Sequence, residues 1–236
     1  MNVVPFSTFC KVLGKIPQWR KAGNGLHSHF PVIKYGSIYN RERRGEVSHN
    51  FFPMISRMRY INRWGLMRNT RLENIQEHSH MVAVLAHALA VIENRYFDGR
   101  VDPGSVAVAA LYHDASEILT GDMPTPIKYD NPDIQNAYKA VEHVAEQKLL
   151  SMLPEELRVE YEDIITIPDP EIHALVKAAD KLSAYLKCVE ELKAGNSEFK
   201  KAKEQTYAAL CQNPIPALQY FMEHFLEGFE LSLDEL

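Results

Sequence analysis

The sequence is poor in cysteine. Only three of its 236 residues are cysteines, and Cys10, Cys188 and Cys211 include no CxxC pair. An odd number of cysteines without paired spacing gives no disulfide framework and no cysteine-based zinc site. We therefore expect a protein of the reducing cytoplasm.

Long apolar runs are also lacking. The longest nearly apolar stretch, Met81 to Ile92, is interrupted by His87 and is shorter than the roughly 20 residues that span a bilayer. We therefore expect no transmembrane segment and no membrane partner. Runs in which β-branched and polar residues alternate, as in half-buried strands, are not convincing anywhere in the chain.

Most of the chain lacks a basic surface. Residues 1–50 hold eight lysines and arginines and two glutamates, which gives them a net charge of +6. The whole chain has a net charge of −5, so residues 51–236 have a net charge of −11. An acidic body argues against nucleic acid as a partner. A small phosphate ester is still compatible with this charge, because a metal and one or two arginines would attract it.

The first 50 residues differ from the rest. They show no clear periodicity, and residues 21–25 (KAGNG) are typical of a flexible turn. A secretory signal is a poor match because Lys11 interrupts the apolar start. We interpret residues 1–50 as a basic, poorly ordered extension, with a docking arm, a targeting segment or an overlong predicted start as alternatives, and residues 51–236 as one domain.

Signals for helix starts dominate the remainder. Asn74 and Glu77 have the spacing of a capping box and predict a helix to about Asn94. Three Asx-Pro pairs predict further helices, because the Asx side chain caps the helix and proline suits its first position. These helices are expected over about 102–121, 131–151 and 170–194, followed by a last one over about 215–229. The predicted fold class is an all-α helical bundle.

Adjacent His113 and Asp114 lie in an apolar helical run, where two ionisable residues are costly unless something binds them. A metal is the simplest such partner. With His78 and Asp180 the chain offers two imidazoles and two carboxylates, which suit Mn, Co, Fe or Zn and leave the metal's identity open. On a continuous helix Glu117 would share a face with both His113 and Asp114. A single histidine in a helix is more often a core or surface residue, and His87, His143 and His224 are interpreted in that way.

Four segments then carry a resemblance. They are residues 61–69 (INRWGLMRN), 73–79 (ENIQEHS), 112–129 (from YHDASE to TGDMPTPIKY) and 177–188 (from KAAD to YLKC). With them, the chain from about Phe51 to Glu235 resembles the HD-domain 5'-deoxynucleotidases of the YfbR type, bacterial phosphatases that act on deoxyribonucleoside 5'-monophosphates. An HD pair alone would indicate only the superfamily, whereas the NRW and TGDxPTPxKY segments indicate this subgroup.

The resemblance implies an HD-domain helical bundle in which His78, His113, Asp114 and Asp180 bind one divalent metal. Cobalt is favoured, with manganese or another transition metal as alternatives. Arg63 is implied to orient the phosphate and Glu117 to assist catalysis. The residues implied to contact the substrate are Arg63, Trp64, His78, Asp114, Asp122, Met123, Pro124, Thr125 and Asp180.

The family also implies a cytoplasmic homodimer. Two departures from its pattern stand out: Gly65 occupies a position where proline is expected, and residues 1–50 have no counterpart. Glycine in place of proline is expected to loosen the loop that holds Arg63 and Trp64. This loosening would affect substrate selectivity more than activity.

Trp64 has two interpretations. Its ring either covers a hydrophobic core or forms the wall of the sugar pocket, where it would exclude a 2'-hydroxyl and leave the base unselected. The expected function is therefore a deoxynucleotidase with broad base tolerance. The alternatives are another HD-domain nucleotide phosphohydrolase and a nucleotide sensor that binds without turnover.

Overall fold

The computed structural model describes residues 49–124 and 131–236, which belong to one compact unit. Within these ranges the regular elements are helices, and the strand-like pairing is confined to an isolated antiparallel bridge between Asn62 and Asn74. The predicted all-α class is confirmed. The boundary near residue 50 and the poor order of the extension stay predictions, because residues 1–48 lie outside the described ranges.

The α-helices of the described residues are, in chain order, α1 (Phe51–Ile55), α2 (Ile75–Tyr96), α3 (Pro103–Tyr112), α4 (Glu117–Thr120), α5 (Pro132–Leu150), α6 (Glu155–Thr166), α7 (Pro170–Lys193), α8 (Lys200–Cys211) and α9 (Pro216–Phe225). Short 3-10 helices cover Ser56–Tyr60, Ser197–Phe199 and Glu227–Glu230. No helix in this described part combines the length and apolarity needed to cross a membrane.

Four of the predicted helix starts are confirmed by their caps, and the last predicted helix begins at Pro216 without a side-chain cap. Asn74 Oδ1 accepts hydrogen bonds from the amides of Gln76 and Glu77. Three further side chains, those of Asp102, Asn131 and Asp169, accept amide hydrogen bonds in the same way at the starts of α3, α5 and α7. The reciprocal bond of a capping box, from Glu77 back to the Asn74 amide, is not formed in the described structure.

The helix predicted over 102–121 is wrong as a continuous element. The chain leaves the α-helix at His113, and the next hydrogen bonds span three residues, with the Glu117 amide donating to the Asp114 carbonyl at 3.0 Å. His113 Nδ1 lies 2.8 Å from the Ala110 carbonyl, the acceptor that a continuing helix offers to the next amide. The short helix α4 then ends at Gly121, whose φ of 75° suits glycine.

Helix α2 lies at the centre of the core. It packs against α3, α7 and α9, and α7 also packs against α8. Leu89, Val106 and Leu182 from α2, α3 and α7 are fully buried where these helices meet. A second, smaller apolar cluster surrounds Phe51 and Leu149. The packing of α2, α3 and α7 brings three distant segments of the chain together, and the candidate site lies among them.

Candidate metal centre

Three of the predicted metal ligands come from three helices that are far apart in sequence. His78 lies in the first turn of α2, His113 at the end of α3, and Asp180 in the middle of α7. Their ligand atoms all lie within 4.8 Å of one another. The closest pair is His78 Nε2 and Asp180 Oδ1, 3.1 Å apart. Helix packing therefore forms a group that can hold a metal ion.

Asp114, the fourth predicted ligand, lies at the same place. Its Oδ2 is 3.2 Å from His113 Nε2 and 3.6 Å from His78 Nε2. We call His78, His113, Asp114 and Asp180 the metal cluster. The structure thus brings together all four residues that the resemblance assigned to metal binding, in a donor set of two imidazoles and two carboxylates.

Contacts at the Nδ1 atoms orient both imidazole rings. His78 Nδ1 lies 3.2 Å from the Ser183 hydroxyl, and His113 Nδ1 lies 2.8 Å from the Ala110 carbonyl. Both Nε2 atoms therefore face the cluster, and His113 Nε2 is buried 3.2 Å from Asp114 Oδ2, a contact between described residues that does not have the geometry of a hydrogen bond. A buried ring nitrogen with this orientation is what a metal ligand requires. The residues present therefore fit a divalent metal.

The electrostatics of the cluster favour a cation. Burial raises the pKa of Asp114 and of Asp180, but the nearby imidazoles outweigh it and hold both values below the usual range. Burial likewise lowers the pKa of His113, whereas the two carboxylates raise it above its usual value. The carboxylates thus stabilise positive charge at the imidazole nitrogens, whether a proton or a metal supplies it.

Arg63 lies beside the metal cluster. Its Nη1 is 3.2 Å from Asp114 Oδ2, its Nη2 is 4.0 Å from Asp180 Oδ1, and its Nε donates to Glu73 Oε2 at 3.3 Å. Burial lowers the pKa of the guanidinium, but these carboxylates outweigh it and raise that pKa. The remaining N–H groups of the Arg63 guanidinium make no hydrogen bond within the described residues. They are available to an oxyanion near the cluster.

Trp64 has an unusual backbone. Its φ of 58° lies in the left-handed region, which is rare for a bulky residue and costs about 1–3 kcal/mol. Several contacts hold it there. Its Nε1 donates to Glu73 Oε2 at 3.1 Å, its ring lies against Phe199 with centroids 5.3 Å apart, and its carbonyl accepts from the Met67 amide. The side chain is fixed next to Arg63.

Glu117 is buried, with 6% of its surface exposed, one turn after Asp114. The continuous helix that was expected to align it with His113 is interrupted, because the chain between them forms tight turns. Asp122 lies near enough to Arg63 and Asp114 for their charges to affect its pKa, which burial raises. Met123 and Pro124 are partly exposed, and no described contact joins them to the cluster. Thr125 lies outside the described residues.

Sequence reasoning missed Glu73 and Ser183. Ser183 follows Asp180 by three residues on one helix, so helical spacing could have identified it as a neighbour of the ligands. Glu73 belongs to one of the resembling segments, but nothing in its spacing shows that it meets Arg63 and Trp64. That contact depends on the return of the chain at the Asn62–Asn74 bridge.

A second charged group lies further along α7. Glu191, 1% exposed, accepts hydrogen bonds from Lys187, from the Thr70 amide at 2.9 Å and from Asn196 Nδ2 at 2.8 Å. Lys187 Nζ also donates to the Arg71 carbonyl at 2.6 Å. We call these five residues the α7 anchor. It holds the segment that follows Trp64 against the helix that carries Asp180.

The fold is that of HD-domain phosphohydrolases. An HD-domain phosphohydrolase from Listeria innocua superposes with a TM-score of 0.68 at 21% identity, over 77% of this chain and 88% of that one. The HD phosphohydrolase DatZ of cyanophage S-2L, solved with dA and one catalytic Zn²⁺ bound, superposes with a TM-score of 0.53 at 21% identity, over 75% and 95% of the two chains. At these identities the likeness concerns the fold.

The family follows from sequence relatives. The family model described as 5'-deoxynucleotidase YfbR-like matches residues 50–229. A 5'-deoxynucleotidase of Cronobacter sakazakii is 53% identical over 193 residues, which cover 79% of this chain and 95% of that protein. A 5'-deoxynucleotidase of Yersinia pestis is 52% identical over 192 residues, 80% and 97% of the two chains. The chain belongs to the YfbR-like 5'-deoxynucleotidase family, and its expected class, a phosphoric monoester hydrolase, is confirmed.

Proposed function

We propose that the protein is a metal-dependent phosphatase that converts deoxyribonucleoside 5'-monophosphates to deoxynucleosides and phosphate. It accepts different bases and selects against ribonucleotides. The observation that carries the proposal is the metal cluster with the guanidinium of Arg63 beside it. The relatives named 5'-deoxynucleotidases support the substrate class.

One divalent metal is held by His78, His113, Asp114 and Asp180. When bound, it supplies a water of lowered pKa and neutralises charge on the phosphoryl oxygens. Cobalt is the favoured metal by resemblance to the family, and manganese or another transition metal is the alternative; the cyanophage protein of the same fold was solved with one catalytic Zn²⁺. The buried Nε2 of His113, which faces the Asp114 carboxylate at 3.2 Å, supports its place among the ligands.

Arg63 binds and orients the phosphate. A guanidinium is planar and permanently charged, and its N–H groups match the spacing of two phosphate oxygens. The N–H groups of Arg63 that lack a partner among the described residues support this role. Asp114 and Asp180, which lie next to the guanidinium, are proposed to contact the substrate as well as the metal, and so is His78.

Glu117 moves a proton on the attacking water or the leaving 5'-oxygen, a role for a carboxyl that is near the metal but does not bind it. Its burial one turn after Asp114 supports this assignment. Replacing Glu117 with Gln should lower kcat by about 10²–10⁴-fold while metal and nucleotide still bind. Near-normal turnover of that variant would remove Glu117 from catalysis.

Trp64 selects the sugar, and Asp122, Met123, Pro124 and Thr125 line the rest of the pocket. The contacts that fix the Trp64 ring beside Arg63 support a steric filter for the 2'-hydroxyl. The Trp64→Ala variant should therefore gain activity on ribonucleotides relative to deoxynucleotides. An unchanged ratio would leave Trp64 with a role in packing against Phe199 alone.

The decisive experiment measures phosphate release from protein stripped with a chelator and then supplied with cobalt, manganese, zinc or magnesium. The substrates are deoxy and ribo 5'-monophosphates of several bases, with a cyclic nucleotide and a triphosphate for comparison. Metal-dependent release that favours the deoxynucleoside 5'-monophosphates is expected. Hydrolysis of another nucleotide class would make the protein a different phosphohydrolase, and binding without release would make it a nucleotide sensor.

The protein is further proposed to act as a homodimer in the cytoplasm, on the strength of the family resemblance. Light scattering coupled to gel filtration tests the oligomeric state of the full chain. A mass near twice 27.0 kDa is expected. A mass near 27.0 kDa at assay concentration would exclude the dimer as the active form.

A further inference from the structure

Glu73 connects two residues of the proposed site. A single oxygen of its carboxylate, Oε2, accepts hydrogen bonds from Arg63 Nε at 3.3 Å and from Trp64 Nε1 at 3.1 Å. The side chains of Glu73 and Arg63 are 17% and 13% exposed, so both contacts are sheltered from water. Hydrogen bonds in which an acceptor is ionised are stronger than neutral ones, and burial strengthens them further.

The backbone explains how neighbouring side chains reach one oxygen. Successive residues of an extended chain point in opposite directions, but the left-handed φ of Trp64 changes the direction of the chain at that residue. The Arg63 amide also donates to the Glu73 carbonyl at 2.9 Å, next to the Asn62–Asn74 bridge. Glu73 therefore holds this turn with both its main chain and its side chain.

Glu73 also has a fixed relation to the metal cluster. It precedes Asn74, the N-cap of α2, and its Oε1 lies 3.9 Å from Nδ1 of His78. Of the three carboxylates within 4.0 Å of the Arg63 guanidinium, that of Glu73 is not among the proposed metal ligands. Without it, the guanidinium would be left with Asp114 and Asp180 within this distance, and it would compete with the metal for their oxygens.

We propose that Glu73 is a positioning residue that holds Arg63 and Trp64 in one arrangement, so that phosphate binding and sugar selection depend on the same carboxylate. The inference rests on the proposed function, because it takes Arg63 as the phosphate ligand and Trp64 as the sugar filter. It assigns no chemical step to Glu73. Its effect is exerted through the two side chains that it orients.

The kinetic test compares Glu73→Ala, Glu73→Gln and the control Glu77→Ala. Glu77 is an exposed carboxylate one turn into α2, with no described contact to Arg63 or Trp64. Glu73→Ala should raise KM for deoxynucleoside 5'-monophosphates about tenfold or more and lower the deoxy-to-ribo activity ratio towards that of Trp64→Ala. Glu73→Gln should recover most of that ratio, because its amide oxygen still accepts from both donors.

Metal content and thermal stability are measured for the same variants. If Glu73→Ala keeps both the KM and the deoxy-to-ribo ratio of the original protein, the inference is overturned. It is equally overturned if the variant loses activity only in proportion to lost metal or lost fold. The double variant Glu73→Ala/Trp64→Ala should show no further loss of sugar selectivity, whereas additive losses would mean that the two residues act separately.

A spectroscopic test does not need activity. The chain has two tryptophans, and the indole N–H signal of Trp64 is assigned by its loss in Trp64→Phe. Glu73→Ala should shift or broaden that signal, and Glu77→Ala should not. If the protein hydrolyses no monophosphate but the Trp64 signal responds to Glu73→Ala, the proposed function fails and the positioning contact stands. An unaffected signal overturns the inference whatever the activity.

Discussion

Helix α7 carries ionisable residues of two groups on one face. Lys187 and Glu191 follow Asp180 by about two and about three helical turns, respectively. In the α7 anchor, Lys187 and Glu191 neutralise each other, and neighbouring amides supply further hydrogen bonds. In the metal cluster, two carboxylates meet two imidazoles, and the buried Nε2 of His113 lies 3.2 Å from Asp114 Oδ2.

The two groups differ in how their charges are compensated. Burial raises the pKa of Glu191, but the hydrogen bonds from Lys187, Thr70 and Asn196 outweigh it and hold that pKa well below its usual range. The anchor is therefore complete within the chain. In the metal cluster the carboxylates favour positive charge at the imidazoles, and a metal ion is proposed to complete it.

The largest expected effect on stability comes from breaking the anchor. Glu191→Ala leaves the buried ammonium of Lys187 without its carboxylate and should lower the free energy of unfolding by about 3–5 kcal/mol. Urea denaturation of metal-free protein measures it. Its exposed neighbour, changed in Glu190→Ala, should alter the stability by less than about 0.5 kcal/mol. Equal effects of the two variants would show that the anchor carries no special stability.

Metal binding should stabilise the protein through the metal cluster. A metal at 100 times its dissociation constant should raise the free energy of unfolding by about 2.7 kcal/mol. Asp180→Asn should abolish this increase and lower activity by more than about 100-fold, because it removes a ligand while keeping the shape of the side chain. Exposed Asp234→Asn is the control. Undiminished metal stabilisation of Asp180→Asn would refute the ligand assignment.

A fall in pH should reduce the contribution of the α7 anchor to the free energy of unfolding by less than the substitution Glu191→Ala does. The pKa of Glu191 is lower in the folded protein than the value of about 4.3 expected for the unfolded chain. Its contribution is therefore present above that unfolded value and is lost as the pH falls towards the folded pKa. The stability difference between the original protein and Glu191→Gln should shrink as the pH falls from 6 to 3. Urea denaturation across this range that gave a constant difference would contradict the lowered pKa.

The smallest expected effect concerns Gly65, in the loop that connects the metal cluster with the α7 anchor. A Cβ atom at Gly65 would meet no atom within 4 Å, and this residue has no left-handed φ that would require glycine. Gly65→Ala should therefore raise the free energy of unfolding by about 0.4–1 kcal/mol, by restricting the unfolded chain. Thermal unfolding measures this, with the deoxy-to-ribo ratio measured beside it. A loss of stability would show that the loop depends on the freedom of glycine.

Much of the fold was predictable because helix starts have local chemistry. Asn74, Asp102, Asn131 and Asp169 each cap the helix that their sequence indicated, since a side chain that satisfies amides two or three residues ahead needs no tertiary partner. The break at His113 was not predictable in this way. At this break His113 Nδ1 lies within hydrogen-bond distance of the Ala110 carbonyl oxygen. The turns that follow interrupt the helix that was expected to align His113 with Glu117.

The residue types of the metal cluster were visible in the sequence for an energetic reason. Ionisable pairs in apolar helices are costly unless something binds them, so His113 and Asp114 stood out. His78 and Asp180 extended this donor set, and the family resemblance implied that all four bind the metal. The tertiary structure decided which other side chains meet them. Glu73 reaches Arg63 and Trp64 only because the chain returns at the Asn62–Asn74 bridge, and long-range pairing of this kind leaves no periodic signal in sequence.

The sequence by itself thus determined the all-α class and the principal helix starts and indicated the candidate donor residues, because these depend on local hydrogen bonds and on the cost of burying charge. The tertiary structure alone decided the left-handed turn at Trp64, the shared carboxylate of Glu73 and the contrast between the metal cluster and the α7 anchor. Whether a buried charge is neutralised within the chain or needs a ligand depends on partners from distant helices, which only packing brings within contact.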